Sequence, residues 1–302
     1  MNHQSLVYFK TVAELQHYTK AAEALYISQP ALSKAIHNLE VELGTTLFQK
    51  DGRNVTLTRT GALFLDYVSR SIDEINRGVE AVHREVQIEQ NTIFMSALYS
   101  LYAVYLPDKI LSFRRQYPSS RFSMEYKYTS AVLKDVMQGQ CELGICSNFT
   151  TDGEYSCLKK QSLFREPVEL VAWKGHRLAG RSRVSVSELK DEHFIVWVRS
   201  KLGTNKLLAD LCGHYGFEPN ITAEAYNDYG VLSMVAMGEG LAIIPTSGGV
   251  DTSNVVPIHL DVDVPLVRDI SLVWRAKEQL SPMAVKFRDV LIEGCEKEQA
   301  ST

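Results

Sequence analysis

The segment Tyr18 to Leu43, YTKAAEALYISQPALSKAIHNLEVEL, restricts the fold more than any other stretch of this 302-residue chain. It divides into two short helices with a tight turn between them. Thr19 is placed to cap the first helix, in which Ala21, Ala22 and Ala24 permit close packing and Leu25 is the apolar anchor. Ser28 caps the second, and Pro30 falls in its first turn, where a missing N–H costs nothing. From Leu32 the helical period gives Leu32, Ile36, Leu39 and Leu43 as one apolar stripe. The opposite face carries Pro30, Lys34, His37 and Val41, with Gln29 and Ser33 toward the helix start. A helix anchored on one side, with small polar and basic groups at its exposed N-terminal end, suits the major groove of duplex DNA. Spacing alone also allows an ordinary helical hairpin in any α-rich domain.

The flanks complete a recognisable unit. Leu6, Phe9, Val12 and Ala13 recur at helical spacing, so residues 4–15 read as a first helix packed beneath the pair. After Gly44 come two short apolar runs, 47–50 and 53–57, around an Asp51-Gly52 turn, which predicts a hairpin with Lys50 and Arg53 at its tip. An ordinary solvated hairpin tip competes with a DNA-contacting wing for these two residues. The run Ala21-Ala22, Ser28-Gln29-Pro30-Ala31-Leu32-Ser33, Leu39-Glu40, Leu43-Gly44, Leu47-Phe48 and Leu57-Thr58 to Gly61 closely resembles the DNA-binding head of LysR-type transcriptional regulators. That resemblance implies a winged helix-turn-helix, a long dimerising helix and a ligand-sensing domain. Its DNA contacts are expected at Thr19, Ser28, Gln29, Pro30, Ser33, Lys34, His37, Lys50, Arg53 and Arg59.

Charge is a weaker guide. The whole chain carries a formal −4, and residues 1–60 hold an excess of one positive charge. Affinity therefore has to come from several heads on spaced half-sites rather than from one strongly basic head. Lys34, Lys50, Arg53 and Arg59 sit where phosphates would lie.

Between residues 58 and 90 no proline interrupts a series spaced alternately by three and four: Leu65, Val68, Ile72, Ile75, Val79, Val82, Val86. This is a heptad seam on a helix roughly 45 Å long at about 1.5 Å per residue. So narrow a stripe calls for a partner helix, and a second copy is the simplest one. A two-fold dimer also presents two reading heads to a pseudo-palindromic operator. The alternative is a helix lying along its own globular domain.

From residue 91 strands and helices alternate, which predicts an α/β domain with a mostly parallel sheet. The strands expected are 93–98, 121–128, 143–146, 163–173, 184–189, 194–198, 220–225 and 268–275. The helices expected are 99–115, 130–138, 204–215, 229–237 and 282–293. Two lobes joined by two crossing strands resemble the periplasmic-binding-protein architecture of LysR-type effector domains. Leu106-Pro107, Gly139 with Glu142-Leu143, His176-Arg177-Leu178-Ala179 and the run from Val235 to Pro245 carry that likeness. Arg177 and Glu142 depart from the family's usual proline and aspartate. The expected division is 1–58 winged head, 59–90 linker helix and 91–302 effector domain, with lobe I at 91–162 and 269–302 and lobe II at 163–268.

Ligands in open α/β sheets sit beyond the carboxyl ends of strands, at the crevice between lobes. Three such ends carry hydroxyls at helix starts: Tyr99-Ser100, Thr129-Ser130, and Arg199-Ser200 with Gly203-Thr204. Ser100 falls where the family places an effector-contacting hydroxyl. Helix N-termini and Arg199 together favour a small, carboxylate-bearing effector. Simple helix capping competes for each Ser and Thr. Tyr99, Tyr102, Tyr105, Tyr126, Tyr128, Tyr226 and Tyr229 are dense in this region and either floor the site or pack the core.

No phosphate loop, G-x-S-x-G element or metal-ligating histidine spacing stands out, so neither catalysis nor a cofactor is expected. There is no apolar run of membrane-spanning length and no secretory leader pattern, and the expectation is a cytoplasmic homodimer or homotetramer. Five cysteines, at 141, 146, 157, 212 and 295, form no C-x-x-C pair. A redox-sensing regulator and a solute-binding protein without DNA contacts stand as rival readings.

Overall fold

The computed structural model describes residues 1–52, 54–101, 104–198, 201–245, 252–263 and 266–299. The chain separates into two compact units, Met1–Glu85 and Val86–Thr302.

In the first unit α1 (His3–Leu15), α2 (Tyr18–Ala24) and α3 (Gln29–Leu43) pack around Phe9, Val12, Ala21, Ala22, Leu32, Ile36 and Leu39. The cap of α2 differs from expectation. Thr19 lies inside the first turn, and His17 caps the helix by accepting from the Lys20 amide at 3.3 Å through Nδ1. An imidazole one residue before Tyr18 reaches that amide, so Thr19 is not needed for it. α3 follows the sequence rules: Ser28 Oγ accepts from the Ala31 amide, Pro30 sits in the first turn, and Gly44 closes the helix at φ 67°. Leu32, Ile36 and Leu39 are buried, while Leu43 in the last turn is partly exposed.

Strands β1 (Phe48–Asp51) and β2 (Asn54–Leu57) form the hairpin, with Asp51 opposite Asn54. Asp51 is therefore in the strand rather than in the turn expected at Asp51-Gly52; Gly52 supplies the left-handed φ of 59°. Arg53 lies outside the described residues. Glu40 Oε1 accepts from the Leu47 amide at 2.7 Å and the Phe48 amide at 3.2 Å, tying the end of α3 to the hairpin. Helix α4 (Arg59–Glu89) starts on this scaffold, because a Cβ at Gly61 would stand 2.0 Å from the Leu47 carbonyl oxygen.

The heptad series on α4 divides in two. Val68 and Ile72 are buried in the first unit's own core and are not free for a partner helix, while Leu65 packs against that core and is half-buried. A 3.5-residue period records which face is covered, not what covers it. Ile75, Val79, Val82 and Val86 are about half exposed or more.

In the second unit β3 (Thr92–Leu98) runs into a 3₁₀ turn at Tyr99–Leu101, and α5 (Leu106–Gln116) follows separately rather than as one helix from Tyr99. Then come β4 (Arg121–Lys127), α6 (Thr129–Met137), β5 (Leu143–Ser147) and the long β6 (Leu158–Trp173). Next are β7 (Val184–Ser185), β8 (His193–Trp197), α7 (Thr204–His214), β9 (Asn220–Ala225) and α8 (Asp228–Ala236). The chain closes with β10 (Ala242–Pro245), β11 (Val255–Ile258), β12 (Leu260–Asp261), β13 (Val267–Arg275) and α9 (Pro282–Gln299). The strand expected over 184–189 is only β7; residues Val186–Leu189 form a 3₁₀ turn.

The main sheet is mixed, not mostly parallel. Its order is β10-β6-β13-β5-β3-β4, with β11 also on β6. β3 is parallel to β4 and β5, but β13, β10 and β11 run antiparallel to their neighbours. The cause is the crossing: β6 goes out to lobe II and β13 comes back beside it. β6 exchanges β13 for β10 between Pro167 and Val168, five residues beyond the expected lobe boundary. Lobe I packs α5 and α9 on one face around Phe113, Leu143 and Phe287, and α6 on the other around Val132 and Val136. Lobe II repeats this, with α7 over Phe194 and Leu208, and α8 over Ile195 and Val231.

Candidate functional site: a polar helix face and an interlobe cleft

Two places stand out, one in each unit. On α3 the buried stripe leaves the other side bare: Gln29, Pro30, Lys34 and His37 are exposed and Ser33 is half-buried. Thr19, Ser28, Lys50 and Arg59 are exposed in the same unit. Tyr26, in the turn before α3, was not singled out by sequence reasoning. It is almost wholly exposed at φ 56°, an uncommon conformation for a bulky residue. Only a turn needing left-handed backbone would have pointed to it. Tyr18 is held inward, and burial, with Glu40 nearby, pushes its hydroxyl up to about 12.

In the second unit the carboxyl ends of β3, β4, β5, β8 and β9 converge on a cavity of roughly 440 Å³, counting the solvent at its mouth. Of the expected residues, Tyr99, Ser100, Thr129, Gly203 and Thr204 line it. Ser130 does not; one residue further along α6, it is turned off the cavity. Arg199 and Ser200 lie outside the described residues, as does Tyr102. Tyr128 also lines the cavity, while Tyr105 and Tyr126 pack on the lobe I core and Tyr226 and Tyr229 are exposed.

The strongest polar groups in the cleft were missed. Arg268, on β13, is buried; its Nε donates to Glu166, and its Nη2 donates to Ser100 Oγ at 2.6 Å. Ser100 is thus oriented by a guanidinium rather than by a helix cap. Asp228, at the start of α8, is buried, and the Trp197 indole donates to its Oδ1 at 3.0 Å. Burial raises the affinity of that carboxyl for a proton, and Arg268 offsets this only in part. Asn205 fixes Trp197 by two bonds to its backbone, at 2.6 and 3.2 Å. Lys127, also at the cavity, pairs with Asp135 and Glu125; burial alone would lower its pKa, but those bonds outweigh it and raise it.

The two lobes meet closely here. The Gly203 amide donates to the Asn148 carbonyl at 3.3 Å, and a Cβ on Gly203 would lie 2.9 Å from Thr129 Oγ1. With φ 66°, Gly203 meets both the backbone and the space requirement.

Cys141 and Cys146 are buried, and burial drives both thiols far above the ordinary range; Cys212 is pushed up to about 11. A peroxide-sensing thiol needs the opposite, an accessible thiolate, and among the described cysteines only Cys157 is exposed.

A capped helix face beside a hairpin, together with a two-lobed cleft lined by polar groups, defines a ligand-responsive regulator that acts through a helix-turn-helix. Residues 3–62 match the bacterial regulatory helix-turn-helix proteins of the lysR family, and residues 87–296 match the LysR substrate binding domain. The chain belongs to the LysR family of transcriptional regulators. The uncharacterized HTH-type transcriptional regulator YybE of Bacillus subtilis is 29% identical over 97% of this chain and 98% of its own. Full-length CbnR in complex with its target DNA has the same fold, with a TM-score of 0.66, 19% identity and coverage of 96% of this chain and 99% of that one. The effector binding domain of QuiR in complex with shikimate matches 68% of this chain and 97% of its own, with a TM-score of 0.62 and 19% identity. Among the described residues no helix is long and apolar enough to cross a membrane.

Proposed function

We propose that this chain is a cytoplasmic regulator that binds double-stranded operator DNA through the bare face of α3 and the β1–β2 hairpin. A small molecule bound between lobes I and II sets its activity, and the chain acts by binding rather than by catalysis. The working division is 1–58 for reading DNA, 59–90 for pairing copies, and 91–302 for the effector. The observation that carries the reading is the split of α3 into a buried apolar stripe, Leu32, Ile36 and Leu39, and a bare polar face at a capped N-terminus. A helix held from behind in this way presents Gln29, Ser33 and Lys34 without spending them on the protein's own core. The DNA-bound CbnR and shikimate-bound QuiR relatives support the two ligand classes.

Ile75, Val79, Val82 and Val86 favour self-association along α4, since four exposed aliphatic side chains on one stripe lose water only against another surface. Dimers joined in pairs would then span the spaced half-sites that a weakly charged head requires. The test is fluorescence anisotropy of a duplex from upstream of the protein's own gene, with and without random competitor. Selective binding that Gln29→Ala and Ser33→Ala weaken supports the reading. Full discrimination in both variants removes α3 as the reading element.

A further inference from the structure

Among the described residues, one acid of the cleft has no ion-paired cation. Arg268 is engaged by Glu166 and Ser100, and Lys127 by Asp135 and Glu125. Asp228 has neither arrangement. It is only 7% exposed, lines the cavity, and receives one neutral hydrogen bond, from Trp197 to Oδ1. Among the described residues no cation is ion-paired with it. Among the described residues its Oδ2 takes no hydrogen bond, and Asp228 lines the cavity. A carboxylate kept out of water with half its acceptor capacity unused is costly unless a ligand supplies the donor.

The same cavity also carries complementary donor groups. Ser100 with the Arg268 guanidinium, Thr129 at the start of α6, and Thr204 at the start of α7 all line the same cavity. Hydroxyls, a guanidinium and helix N-termini of nine and eleven residues favour an anionic group there. Acceptor and donor groups share one small space, so one small molecule has to satisfy both.

Resting on the cleft as the effector site, we propose that the effector is a small zwitterion of the α-amino-acid class, its ammonium held by Asp228 and its carboxylate facing Arg268, Ser100 and the starts of α6 and α7. An ammonium brings three donors and a full charge to Oδ2, which a hydroxyl or a methylene does not. The carboxyl's raised proton affinity has the same origin, a negative charge taken out of water that Arg268 and the Trp197 hydrogen bond only partly offset. Trp197, locked by Asn205, holds the carboxylate in place for that contact.

The experiment uses the full-length protein and matched triads: each common α-amino acid, its 2-hydroxy acid and its plain carboxylic acid. Thermal shift selects hits and calorimetry measures them. The expected result is that at least one amino acid binds with an affinity about tenfold or more above its hydroxy and deaminated partners. Asp228→Asn, which keeps an acceptor for Trp197, should erase that preference by a comparable factor. A 2-hydroxy or plain acid that binds as tightly as its amino partner overturns the proposal, and this comparison needs no variant to fold. A hit that ignores Asp228→Asn but is lost in Ser100→Ala overturns the ammonium contact and leaves the cleft standing. One that ignores both substitutions overturns the cleft reading as well. No shift from any amino acid overturns the ligand class.

Discussion

The reading face of α3 and the interlobe cleft use polar residues in opposite ways. On α3 the polar side chains point away from the protein: Gln29, Lys34 and His37 are exposed, and only the cap at Ser28 is spent on the backbone. In the cleft Ser100, Thr129, Asp228 and Arg268 are all buried, and each already bonds another part of the protein. A surface built to meet DNA has little cost of desolvation before binding and little order to lose. A cleft built for a small molecule holds its groups in fixed positions, so the ligand need not order them. On the proposed reading, affinity in the first would come from several weak contacts repeated by symmetry, and in the second from a few contacts made dry.

The most damaging test falls on the buried support of α3. Ile36→Ala should lower stability by about 2–5 kcal/mol in urea denaturation, because the side chain is closed in by the first unit's core. A change below about 0.5 kcal/mol would mean that α3 is not anchored from behind.

Two glycines compare the regions directly. Gly44 and Gly203 have φ 67° and 66°, but Gly44 faces open space whereas a Cβ on Gly203 meets Thr129 Oγ1 at 2.9 Å. Gly44→Ala should cost only the backbone strain, about 1–2 kcal/mol. Gly203→Ala should cost that and also weaken binding of any cleft ligand, by about tenfold in calorimetry, as the lobes are wedged apart. Equal ligand affinity in wild type and Gly203→Ala would break the claim that lobe contact shapes the cleft.

Gln29→Ala or Ser33→Ala should each lower discrimination between operator and random duplex by about 1–3 kcal/mol, read by competition anisotropy. Ile75→Glu should shift sedimentation toward monomer without unfolding the first unit, because Ile75 lies below the buried pair Val68 and Ile72. A fully dimeric variant would place the copy–copy contact elsewhere.

The smallest effect concerns pH. Burial raises the Asp228 carboxyl above its ordinary pKa, so ionising it costs stability. That cost is absent below the ordinary carboxylate range, grows as pH rises through the raised value, and is constant above it. Asp228→Asn should therefore raise the ligand-free melting temperature at pH 7 by roughly 1–3 °C, and the gap should close on acidification. A gap that widens as pH falls would contradict the assignment.

The sequence revealed the two regions unequally. Leu32, Ile36 and Leu39 announce α3 by their period, Ser28 and Pro30 mark its start, and all of it lies within one contiguous segment. The cleft collects side chains from residues 98 to 268, and spacing along the chain says nothing about which of them meet. Arg268 looked like the start of a strand, and Asp228 fell just outside the helix expected over 229–237; both become site residues only through the crossing of β6 and β13 and the seating of α8. The hydroxyls at Ser100, Thr129 and Thr204 were legible because they follow strands. Ser130 was over-read, since capping alone does not decide which of two adjacent hydroxyls turns inward. The α4 series was under-resolved for a related reason: Val68 and Val79 share one periodicity, yet the first is in the unit's own core and the second is exposed.

Footprinting of the full-length protein on DNA upstream of its own gene, at modest salt and against excess random duplex, tests the central claim most directly. The account predicts protected half-sites spaced by whole helical turns, about 34–36 Å apart or multiples of it, and their loss when Gln29 and Ser33 are both alanine. Protection that is uniform along the fragment, or unchanged in the double variant, would contradict it.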